Sequence, residues 1–174
     1  MEEKKVMTHV QKGLLVSLIL IVLGVVAHFA GIENEGWYRW LPSIILLGAI
    51  IWACVFYSTQ MNGQVTFGNI FLHGFKMSAV ITVILIVWTI LAVTLIFPEM
   101  KEKGMETARQ QMEDSGKLTD SEIEQRLEVG KKFFTVIVIG TVLFGTLIVG
   151  AIASLIGAAV AKKKPVNPLD QMAA

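Results

Sequence analysis

The sequence predicts an all-α, polytopic membrane protein with four transmembrane helices and a helical hairpin extension between helices 3 and 4. Three observations carry this. Charged residues are scarce, 17% of 174 against 54% hydrophobic, and mean hydropathy is +0.65, whereas a soluble domain holds about a quarter charged residues. Segregation says more than scarcity: no Asp, Glu, Lys or Arg occurs in residues 13–30, 40–75, 77–98 or 133–161. A bilayer enforces that pattern, because a charge at its centre costs about 3 kcal/mol or more. Finally, the one long charged stretch between the apolar ones carries helix and turn signals of its own.

The first span covers about residues 13–30. Lys4, Lys5 and Lys12 precede it as they would a signal peptide. However, the stretch is long for such a segment, and Ala27-His28-Phe29-Ala30 lacks a clean small-x-small cleavage site. It reads as an uncleaved helix with Lys12 as a flanking charge. Residues 31–36, with Glu33, Asn34 and Glu35, form a polar turn. Trp37-Tyr38-Arg39-Trp40 marks re-entry at headgroup level, where aromatic rings settle and arginine snorkels to phosphate. Pro42 suits the first turn of the second span, about 41–58, where its missing N–H costs nothing.

A polar link follows, with the turn dipeptide Asn62-Gly63 and with Thr66 as N-cap of the next helix. That helix reads as continuous from Phe67 to Phe97. Phe67, Ile70, Phe71, Gly74 and Phe75 fall on one stripe, so residues 67–76 are expected to start along the membrane interface before 77–97 cross. Pro98 lies just beyond the membrane end.

Residues 99–132 hold seven Lys/Arg and nine Asp/Glu, intermixed. Met105, Ala108 and Met112 share one helical face, and Ile123 and Leu127 share another. Ser115-Gly116-Lys117 is a turn, and Thr119-x-x-Glu122 is a capping box opening a second helix. An extramembrane helical hairpin is expected, each arm extending a membrane helix; disorder is the competing reading of so much charge. The fourth span, 133–161, is longer than a perpendicular crossing needs. Lys162-Lys163-Lys164-Pro165 ends it, and residues 166–174 read as a disordered tail.

Orientation by Lys/Arg counting is nearly tied, seven on the side of the termini and eight on the other. The first span, flanked by three against one, favours both termini in the cytoplasm. A net charge of +1 offers nothing to nucleic acid. The single cysteine, Cys54, cannot pair within the chain and reads as a small packing residue. His28 fits an interfacial position at the end of the first span. His9 and His73 read as isolated, and the three histidines have no metal-ligand spacing. Ser17, Ser43, Thr82, Thr89, Thr94, Thr135 and Thr141 either line a pore or bond to their own helices. No nucleophile has a base in its own segment, and no phosphate loop or paired carboxylate occurs. No catalytic, cofactor-binding or metal residue is therefore named.

Two motifs remain. In the fourth span Thr146, Gly150, Ser154 and Ala158 repeat every four residues, flanked by Ala153, Gly157 and Ala161. Small residues in register let helices approach closely in lipid. The partner is either another helix of the same chain or the same helix of a second copy, which would make a homo-oligomer. Ahead of the third span, Gly63 provides the turn and Thr66 the cap, while Gly68 and Gly74 allow close approach; the alternative is a small ligand-binding re-entrant site.

The segment Gly63-x-Val65-Thr66-Phe67-Gly68-x-x-Phe71-x-x-Gly74-Phe75, the pair Phe97-Pro98 and the stretch Leu118-Thr119-x-x-Glu122-Ile123-Glu124 together resemble the family called domain of unknown function 4199. Its members are small membrane proteins, mostly from Bacteroidota, and the resemblance covers nearly the whole chain. It implies four helices in a bacterial inner membrane with a charged segment between helices 3 and 4, and it brings no activity, cofactor or catalytic residue. The functional expectation is a non-enzymatic accessory or interaction protein, touching the lipid bilayer and engaging a protein partner through residues 99–132. The alternatives are a subunit of an oligomeric small transporter or channel and, third, an intramembrane enzyme in which His28, His73 and a loop carboxylate converge.

Overall fold

The computed structural model describes residues 7–32 and 35–163, and no strand occurs among them. The turn residues Glu33 and Asn34, the flanking Lys4 and Lys5, the Lys164-Pro165 stop and the tail 166–174 lie outside the described residues. The helices are α1 (His9–Ala30), α2 (Leu41–Gln60), α3 (Phe67–Leu91), α4 (Glu99–Ser115) and α5 (Asp120–Val160). Four stretches are long and apolar enough to cross a membrane: His9–Ala30, Tyr38–Gln60, Phe67–Ile96 and Asp120–Val160. This is a multi-pass membrane protein.

Local chemistry sets the helix ends. Thr8 caps α1 by accepting from the Gln11 N–H while the Gln11 side chain accepts from the Thr8 N–H. Gly31 ends α1 in the left-handed region at φ 68°. Between α2 and α3, Asn62 and Gly63 are both left-handed, at φ 52° and 77°. The Thr66 hydroxyl then accepts from the Asn69 N–H at 3.2 Å, capping α3. Beyond α3 the chain widens into a π-type turn, Ala92–Ile96, closed by the Phe97 N–H donating to the Ala92 carbonyl at 2.7 Å. Phe97 leaves the helical region (φ −132°, ψ 62°), as a following proline favours, and Pro98 starts α4.

The chain divides into two compact units. The first comprises Met1–Leu85 and Phe144–Ala174. It is a bundle of α1, α2, the first part of α3 and the last part of α5. Its interior is built of small residues, with Ala53, Cys54, Ser78, Ala153, Ser154 and Ala158 all fully buried beside Ile50, Ile70, Met77 and Ile81. Large side chains such as Leu14, Leu18, Val22, Ile44, Val83, Ile148 and Leu155 are exposed. That inversion suits lipid, which is as apolar as leucine and cannot drive leucines inward. Close packing of small residues holds such helices together.

The second unit is Ile86–Leu143. Here α4 lies along the charged start of α5. An added Cβ on Gly104 would lie 3.1 Å from the Phe134 ring, and one on Gly130 would lie 3.2 Å from the Met105 methyl. Gly116, left-handed at φ 62°, ends α4. The arms differ from expectation in one respect. The α5 arm continues unbroken into the fourth span, but the α4 arm is separated from the third by the Phe97-Pro98 break, where the following proline disfavours helical geometry at Phe97.

The capping box at α5 closes reciprocally. The Glu122 carboxylate accepts from the Thr119 N–H at 2.8 Å and from its hydroxyl at 2.9 Å, and the Glu122 N–H donates back to that hydroxyl oxygen at 3.4 Å. These donors hold the Glu122 carboxyl below its ordinary 4.5. A lowered value in the folded state means that this contribution is present above pH 4.5 and is lost as pH falls through the lowered value. Thr119→Ala should weaken the first turn of α5 by about 1 kcal/mol. Faster amide exchange confined to residues 120–124 would register it; unchanged exchange there would show that the box contributes nothing.

Candidate functional site

Two places bring chemically distinctive side chains together, one in each unit. In the second unit a groove of about 720 Å³ runs between α4 and α5. Met105 and Leu127 form its apolar floor, and Glu102, Glu106, Glu124 and Glu128 outnumber Arg109 and Lys131 along its sides. Ile123 and Leu127 are buried, while Met105, Ala108 and Met112 are half-buried. The two faces read from the sequence therefore meet each other. An Arg109–Glu113 pair, one turn apart at 3.9 Å and half-exposed, contributes little to stability.

In the first unit the start of α1, the end of α2, the start of α3 and the end of α5 gather at one end of the bundle. Lys12 lies at the heart of this end. It belongs to the first turn of α1, is only 1% exposed, and sets its Nζ 3.4 Å from Nε2 of His73 and 4.9 Å from the Phe56 ring centroid. It is thus not a solvated flanking charge, because helix 1 begins at His9 rather than Gly13 and turns Lys12 toward α3. When Lys12 is an ammonium it has only protons to offer, and a neutral His73 then accepts at Nε2 with its own proton on Nδ1. Tyr57 stacks on the His73 ring at 4.2 Å and 9°, and His9 meets it edge-on at 5.9 Å. The histidines read as isolated are therefore neighbours, since alternating helices return residues 9–12, 57 and 73 to the same end. Farther out, the Ser58 hydroxyl donates to the Lys162 carbonyl. Lys163 donates to the Ala158 carbonyl at 2.7 Å and lies over the Phe67 ring at 5.2 Å.

The packing stripe of the fourth span is spent within the chain. Thr146, Gly150, Ser154 and Ala158 are all buried. Gly150 faces Ser78 and Ile50, Ser154 faces Gly74, and Gly157 faces Cys54 and the Ile51 backbone. One turn forward along α3, from Gly74 to Ser78, matches one turn back along α5, the mark of antiparallel helices in contact. In the motif before the third span, Gly63 makes the turn, Thr66 the cap and Gly74 the close approach. Gly68 does not approach anything closely: it is exposed, and an added Cβ would find only the Thr66 hydroxyl, at 3.9 Å. Pro98 serves as the break before α4.

The hydroxyls are occupied locally. Ser17, Thr82, Thr94, Thr141 and Ser154 each donate to the carbonyl four residues earlier, at 2.6–2.9 Å. Ser43 and Thr141 are exposed, while Thr82 is buried. Cys54 donates its thiol to the Ile70 carbonyl at 3.6 Å. His28, sixteen residues beyond Lys12 on α1, lies about 24 Å along the helix from it. It therefore does not converge with His73, which holds to Lys12. Among the described residues no group of three or more His, Cys, Asp or Glu is placed to hold a metal.

The family model described as protein of unknown function (DUF4199) matches residues 11–163. The chain belongs to the DUF4199 family. The match begins just before Lys12 and ends at Lys163, so Lys12, Tyr57, His73 and the α4–α5 groove fall inside the DUF4199 region and His9 just outside it. No curated protein and no solved structure matches the chain.

The Lys12–His73 cluster was the part that sequence reading missed. A signal existed. His9, Lys12 and Val16 share a face of α1 at i, i+3, i+7 spacing, and an antiparallel bundle places the first turn of one span beside the last turn of the next.

Proposed function

We propose that this membrane protein acts as a non-enzymatic interaction partner, with the α4–α5 groove as its docking surface. The supporting observation is the groove itself: an apolar floor of Met105 and Leu127 bordered by four glutamates and two basic residues. Charge of that sign selects a partner segment that is helical, apolar on one side and basic along its edges. We further assign the protein to the bacterial inner membrane with both termini cytoplasmic. That orientation is supported by Lys12, Lys76, Lys162 and Lys163 at one end of the bundle, with no carboxylate among the described residues of residues 7–16, 56–78 and 156–163.

Photo-crosslinkers at Glu106 and Glu128 in native membranes test the docking reading, with one at exposed Lys117 as reference. The first two should capture a protein through a basic amphipathic segment, and Glu106→Lys with Glu124→Lys should reduce that capture about tenfold, as should raised salt. Equal capture from all three positions, or capture indifferent to charge reversal, would sink the proposal.

A further inference from the structure

The basic end of the bundle encloses a second cleft, of about 550 Å³, between the starts of α1 and α3 and the end of α2. Its polar lining is Thr8, His9, Tyr57, Asn69, His73 and Lys76. We propose that this cleft is an anion site, taking the phosphate group of a lipid headgroup or of a soluble phosphate ester.

Several features converge on this ligand class. Among the described residues the lining contains no carboxylate, and its charged side chain is the Lys76 ammonium, so its charge favours an anion. Behind His73 lies Lys12, buried with a neutral imidazole and an aromatic ring as its partners. As an ammonium, with no carboxylate paired to it among the described residues, Lys12 sets the cleft at positive potential, which an anion relieves. With the Lys12 ammonium donating to Nε2, the His73 imidazole is a donor at its remaining nitrogen. The Tyr57 stack and the His9 edge fix that ring in place. Lys76, His9 and the Asn69 amide add donors from two helices, and the first turn of α1 presents its positive end at His9. Donors arriving from several directions suit a tetrahedral group with several oxygens better than a flat carboxylate. The volume lies within the range of about 300–1,000 Å³ typical of small-molecule sites, larger than a bare phosphate needs and matched to an esterified one.

The test uses the full chain purified in detergent and titrated, by native mass spectrometry, with two matched pairs. Phosphatidylglycerol is set against phosphate-free galactosyl diacylglycerol, and glycerol 3-phosphate against acetate. At least one phosphate ester should bind about tenfold more tightly than its phosphate-free counterpart. Phosphatidylglycerol alone would identify a headgroup site, and glycerol 3-phosphate, alone or as well, a soluble ester. Lys76→Gln and His73→Gln should each weaken that binding about tenfold, whereas Lys117→Gln in the α4–α5 turn should not. Lys12→Met keeps an apolar stem of similar length and should also lose affinity; if it fails to fold, exposed Lys76 decides the matter. Equal binding within both pairs, or binding that survives Lys76→Gln and His73→Gln undiminished, would overturn the assignment.

Discussion

Gly150→Ala should destabilise the folded protein by about 2–3 kcal/mol, the upper part of the range for overpacking a close-fitted interior. A Cβ at this position would lie 2.4 Å from the Ser78 Cβ and 2.5 Å from its Oγ. The first of these atoms is fixed to the α3 backbone, so no rotamer change relieves the clash and α3 must move away from α5. Gly157→Ala belongs to the same class, at 2.6 Å from the Cys54 Cβ and 3.3 Å from the Ile51 Cα. Gly74→Ala should cost less, because its nearest neighbours at 2.5 and 2.7 Å are the Cys54 Sγ and the Ser154 Oγ, which can turn aside. Gly145→Ala supplies the control: nothing lies within 4 Å, and alanine is the better helix former. Unfolding in mixed micelles with increasing SDS should rank the four in that order. Equal stability of Gly150→Ala and Gly145→Ala would remove close packing of α5 on α3 as the basis of the bundle.

The second large effect is expected in the other unit. Leu127→Asp should detach α4 from α5, at a cost of about 3 kcal/mol or more. Leu127 is 8% exposed and Ile123 3%, the only strongly buried side chains in the charged part of α5. A carboxylate there must leave the floor to reach Arg109 or Lys131 on the sides, or draw water into the groove. The loss should be local. Amide exchange should quicken throughout Glu99–Ser115 and proteolysis should open near Lys117, while the Gly150–Ser78 packing keeps its resistance to SDS. If α4 kept its protection, the hairpin would be held by its surface charges rather than by its floor. Ile123→Asp tests the same point one turn earlier.

These outcomes bear on how much could be read before any coordinates. Residues 13–30 and 133–161 announce helices because a bilayer tolerates neither charge nor an unsatisfied backbone, and composition records that demand directly. Local signals were equally legible. Thr66, Gly116 and the Thr119–Glu122 box act within a few residues of themselves, so their geometry follows from neighbours in the chain. The stripe Thr146, Gly150, Ser154 and Ala158 was visible as a packing surface, but its occupant was not. Small residues advertise a close approach without naming what approaches, and only the antiparallel register of α3 shows that Ser78 and Gly74 fill the place.

The candidate sites divide in the same way. The faces of the hairpin could be read from period and turn chemistry. The meeting of Lys12 with His73 could not, since the two are separated by 61 residues and each looks like an isolated interfacial group. Sequence by itself determined what each segment is: four apolar helices, their caps and turns, and the charged hairpin between the last two spans. Tertiary structure alone decided which residues meet, turning a flanking lysine into a buried one and two solitary histidines into a stacked, basic cleft. The physical reason is range. Solvation and capping act on a residue through its immediate surroundings, whereas burial of Lys12 depends on where α2 and α3 return after crossing.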